Sequence, residues 1–420
     1  MTKNNPVHSK LLDETIALTA ECGLEKLSLR AIASRSGCST GVIFQSFGSK
    51  SGLLGKALAR AREHDRRFHD DLEKDMSGYL SGHADFSDLL TWYIATRTGQ
   101  EVARFLSEVF FKANQIEMCG DHMREWHAMR TLFWTRILDR LNVDHELAPI
   151  VSSYIVMEEV YAQTLIDRPR YRFLLGETVR ALTAVAFGED ISKLRKRSLS
   201  ERLDTQPLSF HGKAKSDAND NAVREQLLEQ AVLTIVKSGT GAATQRKLAR
   251  KAGVSASMVA YHFGNMKAFV NEAIWRALMK GIPVDLDPDN KNGSMPSSLD
   301  EWFTMINEHV RSEAGEVPAG FYTGFSRISG EACLLARFQP QITELVGHLR
   351  ALEGWGTFRV SSHLKEAGYR IGRDHAAAFG VWVKAEAMLR QNDLITAHRD
   401  VSRIANAARL IFPTARTATE

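Results

Sequence analysis

Cysteine is scarce: Cys22, Cys38, Cys119 and Cys333 are scattered through 420 residues, with no CxxC pair. That excludes a disulfide scaffold and a cysteine-built zinc site, and it suits a reducing compartment. Proline is nearly as sparse, at ten residues, which leaves few obligatory helix stops. No apolar run nears the roughly 20 residues that span a bilayer; Ala376–Val383 is among the longest. Met1–Lys10 is polar and lacks the apolar core of a secretory leader. A cytoplasmic location without a membrane partner is therefore expected. Catalytic signatures are also missing. No GxSxG, P-loop or GxGxxG sits between a strand and a helix. Asp121, His122, Glu125 and His127 match no metal pattern, nor do His309 and Glu313, placed one turn apart on an expected helix. The sequence assigns no catalytic residue, no metal and no cofactor, and an enzyme is not expected.

What the chain has in abundance is helical periodicity. Leu11, Leu12, Thr15, Ile16, Leu18 and Thr19 form one stripe. Val102, Phe105, Leu106, Val109, Phe110 and Ala113 repeat the pattern, as does Tyr171–Phe187. Strand-like alternation is hard to find, so the predicted class is all-α. The length suits two to four domains.

Sliding the sequence against itself gives one strong register, an offset of 216. Gly23 falls on Gly239, Arg30 on Arg246, Ala33 on Ala249 and Gly37 on Gly253. Ser39 falls on Ser255, Phe47 on Phe263 and Gly48 on Gly264, without a gap. A repeat of half the chain indicates duplication of a whole unit. Between the copies, Lys193–Asn221 is polar and basic and reads as a linker, helical at first and then flexible.

The repeated segment has a definite physical logic. Ser28 suits an N-cap, Ile32 a buried contact, and Ala33 a close helix crossing. Gly37 suits a left-handed turn, and Ser39 a cap for a second helix, Ser39–Ser46. Two short helices joined by such a turn form a helix-turn-helix, whose second helix can lie in a major groove. Charge agrees: residues 1–60 carry +4 and residues 222–280 carry +6, so the rest of the chain carries −6. Basic modules on an acidic body turn toward phosphate.

Both segments resemble the DNA-binding domain of TetR-type transcriptional regulators. The first copy carries Ile32-Ala33, Gly37-Cys38-Ser39, Gly41, Phe44, Phe47, Lys50 and Leu53; the second carries Leu248-Ala249, Gly253-Val254-Ser255, Tyr261, Phe263 and Lys267. Departures lie at Phe44 and Ala260, where the family has an aromatic hydroxyl, at Ser257 for glycine, and at Met266 for lysine. The resemblance implies two fused units: heads at 8–55 and 222–271, larger helical ligand-binding and dimerisation domains at 56–192 and 272–413, and the linker at 193–221. The recognition helices would present Thr40, Val42, Gln45 and Ser46, and Ala256, Met258, Tyr261 and His262. Gln45 could read adenine, and apolar side chains thymine methyls. Ser28, Arg30, Ser39, Phe44 and Lys50 complete the first DNA-facing set; Thr244, Gln245, Arg246, Ser255 and Lys267 complete the second.

For the bodies, the resemblance implies a small apolar or aromatic effector. Its candidate lining is Trp92, Tyr93, Phe105, Phe110, Trp126 and Trp134 in the first half. In the second half it is Trp302, Phe321, Tyr322, Phe325 and Trp355. Gly315–Gly330 is a pocket or hinge candidate rather than a regular helix. Ile150–Ile166 with Tyr171–Phe187, and Asp374–Arg390 with Leu394–Phe412, are the expected pairing helices of an intramolecular pseudo-dimer. The implied function is a repressor of a double-stranded DNA operator, with different half-sites. A transcriptional activator, a regulator using one head, and a ligand- or partner-binding protein with degenerate heads fit the same residues.

Overall fold

The computed structural model describes residues 6–112, 120–191, 198–203, 218–242, 245–251, 253, 255–283, 296–313, 319–361, 368–395 and 401–414. Among these the chain is helical throughout, with one isolated bridge between Tyr369 and Thr414. No described helix is long and apolar enough to cross a membrane.

The first head comprises α1 (Pro6–Cys22), α2 (Leu29–Ser36), α3 (Thr40–Phe47) and the start of α4 (Lys50–Asp75). Local chemistry sets each boundary. The Ser28 hydroxyl accepts from the Ala31 N–H, satisfying one of the donors that a helix start leaves orphaned. Gly37 ends α2 at φ 71°, a left-handed conformation that a side chain resists. Leu11, Ile16, Ile32, Ala33, Ile43 and Leu53 bury the facing sides of the helices. Helix α4 runs unbroken through the expected boundary at residue 55 and on into the body.

The offset of 216 recurs in three dimensions. The second copy folds as α11 (Ala218–Ser238), α12 (Gln245–Lys251), α13 (Ala256–Phe263) and α14 (Met266–Met279). Gly253, at φ 69°, repeats the left-handed turn. Leu227, Ile235, Leu248, Ala249 and Val259 repeat the core. The Asn265 carboxamide caps α14 where Ser49 caps α4. Helix α11 starts at Ala218, inside the expected linker.

The bodies consist of α5 (His83–Arg97), α6 (Glu101–Phe111), α7 (Gly120–Arg140), α8 (Leu147–Leu165) and α9 (Pro169–Thr183), and of α15 (Leu299–His309), α16 (Phe321–Ala336), α17 (Thr343–Ala351), α18 (Trp355–Ser361), α19 (Arg373–Gln391) and α20 (Ser402–Ile411). Helix α8 packs on α19, α16 and α17, and α9 packs on α19 and α20. Helices α8 and α19 are buried on nearly every face, the pattern of helices central to a core. Helix α16 crosses α6 where Gly330 meets Phe111; a Cβ at Gly330 would lie 2.0 Å from the ring.

Several expectations need refining or correcting. Part of the linker is a docked helix, α10 (Leu199–Leu203), because the buried Glu177 carboxylate accepts from the Leu199 and Ser200 N–H groups at 2.7 and 3.1 Å. Phe321–Ala336 is a regular helix, so the last part of the proposed hinge is none; residues 314–318 lie outside the described set. Helix α15 ends at His309, so Glu313 does not share its face. Helix α3 begins at Thr40, and the Ser39 side chain makes no capping bond; Ser255 makes none either.

Candidate nucleic-acid interface

Helix α3 exposes Phe44 and Gln45 while Ile43 is fully buried. Phe44 is 53% exposed, an unusual cost for a ring on a short helix. Thr40 and Val42 are half-buried, and Val42 leans on the head core. Ser46 hydrogen-bonds His8 Nε2 at 2.7 Å, so it secures α1 rather than standing free. Ser28, Arg30 and Ser39 are exposed beside this helix. Lys50 is a different matter. Its ammonium donates to the Leu27 carbonyl at 2.7 Å, and burial lowers its pKa. It holds the turn between α1 and α2, a structural task that the sequence reading did not assign to it.

Helix α13 exposes Ser257, Ala260 and Tyr261, the last at 55%. Tyr261 occupies the position of Gln45 under the repeat offset, so the two heads present different side chains at one site. His262 is 6% exposed and packs inward, which removes it from the outward-facing set. Helix α11 packs on α13 here, and its Arg224 stands where His8 stands in the first head, with its guanidinium 4.8 Å from the Phe263 ring and 2.6 Å from Glu272. Met258 is half-buried, whereas Ser255 and Lys267 are exposed. Thr244 and the side chains of Gln245, Arg246 and Ala256 lie outside the described residues.

Each head is tied to a body helix by a buried carboxylate. Glu108 on α6 accepts from the Leu24 N–H at 3.1 Å, and Glu331 on α16 accepts from the Thr240 N–H at 2.7 Å. These N–H groups are equivalent under the offset of 216. Arginines complete the ties, both from α16 or its C-terminal cap. Arg327 pairs with Glu331 and donates to the Val236 carbonyl of the second head. Arg337 pairs with Glu108 and donates to the Ala20 carbonyl of the first. Helix α16 thereby touches both heads. Periodicity could not have revealed this, because the ties span up to 317 positions.

The expected effector-lining residues divide sharply. Tyr93, Phe105, Phe110, Trp126, Trp134 and Trp302 are at most 2% exposed and belong to packed cores. Trp92 is 48% exposed on the surface. Phe321, Tyr322, Phe325 and Trp355 do come together, around one cleft in the second half. No cluster of three His, Cys, Asp or Glu suited to a metal occurs among the described residues. Glu125 pairs with Arg62, which lies 3.5 Å from His122 Nδ1, and His127 is buried.

Comparison with protein-family models matches residues 11–57 to the bacterial regulatory proteins of the tetR family. The matched span ends before the second copy of the repeat. No curated protein matches the chain. The match covers α1–α3 and the first turns of α4, the elements that hold Phe44 and Gln45 outward. The chain thus carries a TetR-type DNA-binding domain at residues 11–57, the module of a transcription regulator.

Proposed function

We propose that the chain is a cytoplasmic, non-catalytic repressor whose two heads bind one double-stranded operator with unlike half-sites, released by a small-molecule effector. The observation that carries this reading is the recurrence of the matched helix pattern 216 residues later, to within one residue at each boundary from α2 to the start of α4. The pairing of α8 and α9 with α19 inside one chain supports an intramolecular pseudo-dimer. Such an arrangement docks two recognition helices in successive major grooves, about 34–36 Å apart. Unlike residues at Gln45 and Tyr261 support an asymmetric or imperfectly palindromic site, since base contacts specify and phosphate contacts position. Release requires an effector that binds the undocked arrangement more tightly than the docked one. The ties from α16 to both heads supply a mechanical path for that preference.

A DNA mobility-shift assay on the gene's own upstream region tests the reading. Gln45→Ala and Tyr261→Ala should each weaken specific binding by about 1–3 kcal/mol, the usual loss of a base contact. His262→Ala should act through folding of the second head instead, because the ring is buried. Loss with Gln45→Ala alone would mean a one-headed regulator. No specific shift of the wild-type chain at physiological salt would end the repressor reading for that DNA.

A further inference from the structure

The second-half cleft is built as a ligand site. The cleft encloses about 120 Å³ and opens to solvent at its mouth. Trp275, Phe321, Tyr322, Phe325 and Trp355 supply five rings to its wall, and Met279 adds a flexible thioether. One charged pair stands in this apolar lining. Lys384 and Glu353 are 3% exposed each, and their side chains lie 2.5 Å apart. The Lys384 ammonium also donates to the Tyr161 hydroxyl at 3.3 Å, and that hydroxyl donates to Glu353. An ammonium has three donors. Glu353 and Tyr161 take two, and the ammonium lies 4.3 Å from the centroid of the cleft-lining Phe325 ring. In the first half the space between α4, α5, α7 and α8 is closed: it holds Asp65, Arg97, Arg130 and Glu159, knitted by ion pairs and packed with the buried Tyr93 and Trp126.

We propose that the chain binds one effector, in the second-half cleft only, and that this effector is a flat, uncharged aromatic molecule with an oxygen acceptor directed at Lys384. A wall of aromatic rings favours a planar ligand that can lie against one of their faces. The Lys384–Glu353 pair is already neutral, so a charged ligand would enter the cleft without a counter-charge and bear its full desolvation cost. A carbonyl or phenolic oxygen instead takes the remaining ammonium donor, an interaction stronger than between neutral groups. The ligand rests on the N-terminal turns of α16, whose far end holds Arg327, Glu331 and Arg337 against the two heads. Tyr161 belongs to α8, so the same anchor also touches the seam between the halves. The proposal depends on the repressor reading only in calling the ligand an effector; its binding is measured without DNA, so either idea can fail alone.

The test is a fluorescence titration of the intact chain with Nile red, a neutral aromatic dye bearing a carbonyl, beside pyrene, which has no acceptor, and anilinonaphthalene sulfonate, an anion. One Nile red per chain is expected, bound more tightly than the anion. Met279→Trp, which fills the cleft, should weaken both neutral dyes by about tenfold or more. Replacing the pair together, Lys384→Met with Glu353→Leu, should weaken Nile red by about tenfold and leave pyrene within about twofold. Circular dichroism melts identify any variant that has not folded, and Phe321→Leu provides a second, milder change on the opposite wall. Two dyes per chain would overturn the proposal. So would indifference of folded Met279→Trp and Phe321→Leu to the dyes, an equal loss of Nile red and pyrene in the pair variant, or tighter binding of the anion.

Discussion

Arg350→Met should lower the stability of the folded chain by about 3–5 kcal/mol, the usual cost of removing one partner of a buried ion pair. Arg350 sits on α17 and Glu158 on α8, 192 positions earlier; their side chains are at most 1% exposed and pair at 2.9 Å. Arg350 also donates to the Thr178 hydroxyl at 2.8 Å, and the Tyr171 hydroxyl donates to Glu158 at 2.8 Å. Removal of the guanidinium leaves the Glu158 carboxylate without an ion-pair partner among the described residues. The site is also imperfect. Arg350 Nη1 and Glu158 Oε2 find no hydrogen-bond partner, and each orphan subtracts from what the pair contributes. The double variant Glu158→Leu with Arg350→Met should therefore return to within about 1 kcal/mol of wild type, or exceed it. Urea midpoints at neutral pH decide the matter. A midpoint for Arg350→Met equal to wild type would show that the pair carries no stability; equal losses in the single and double variants would show that packing, rather than charge, was lost.

The physical meaning of that pair is the seam it occupies. Helices α8 and α17 lie on opposite sides of the repeat, and with α19 they bury polar groups that bond across it as well as within their own side. A chain whose two halves satisfy one another in this way has an inner surface unsuited to exposure. Under the proposed pseudo-dimer, pairing of the halves would be part of folding, and the heads would be free to carry different residues at Gln45 and Tyr261.

The heads were the legible part of this molecule, for reasons that particular residues make clear. Ser28 and Gly37 act through their own neighbours in the chain, so their roles follow from local chemistry. The offset between Gly37 and Gly253 needs only comparison of the chain with itself. Periodicity was less informative for His262, because burial on a short helix depends on what faces it, here the α11 segment bearing Arg224. The same limit applies to the aromatic residues. Phe105 and Phe325 look alike in sequence, yet the first is sealed in a core and the second lines a cleft. Buried charges such as Asp65 and Glu353 were invisible because their partners lie tens of residues away. Lys50 shows a related limit: a resemblance transfers a residue type, and the bond to the Leu27 carbonyl is a task that the type alone does not reveal.

Acid should unfold the first half early, through two histidines held neutral in its core. His69 is 1% exposed. Its Nδ1 lies 2.6 Å from the Asp65 carbonyl, which can only accept, so Nδ1 carries the proton and Nε2 accepts from the Tyr93 hydroxyl at 2.9 Å. The Tyr93 oxygen in turn accepts from Arg130 Nε at 3.2 Å. A second ring proton would meet a hydroxyl already oriented toward it. Burial, reinforced by Arg97 and Arg130 against the pull of Asp65, lowers the His69 pKa to about 4. Burial also lowers that of His127 to about 3, with Arg130 and Arg403 adding to the effect and Glu386 opposing it. Both folded values lie below the unfolded 6.5. The unfolded chain therefore binds protons that the folded chain refuses once the pH drops below about 6.5. Stability is complete above that pH and falls beneath it by up to about 2.7 kcal/mol per unit for the two rings together. The fall continues until His69 titrates in the folded state near pH 4, and His127 near pH 3. Urea midpoints measured between pH 7 and pH 4.5 should decline steadily, and His127→Leu should roughly halve the slope to about 1.4 kcal/mol per unit. A midpoint that stays level from pH 6.5 to pH 5 would mean that these rings accept protons without unfolding, and the network of Asp65, Tyr93 and Arg130 would then have to rearrange around the charged form.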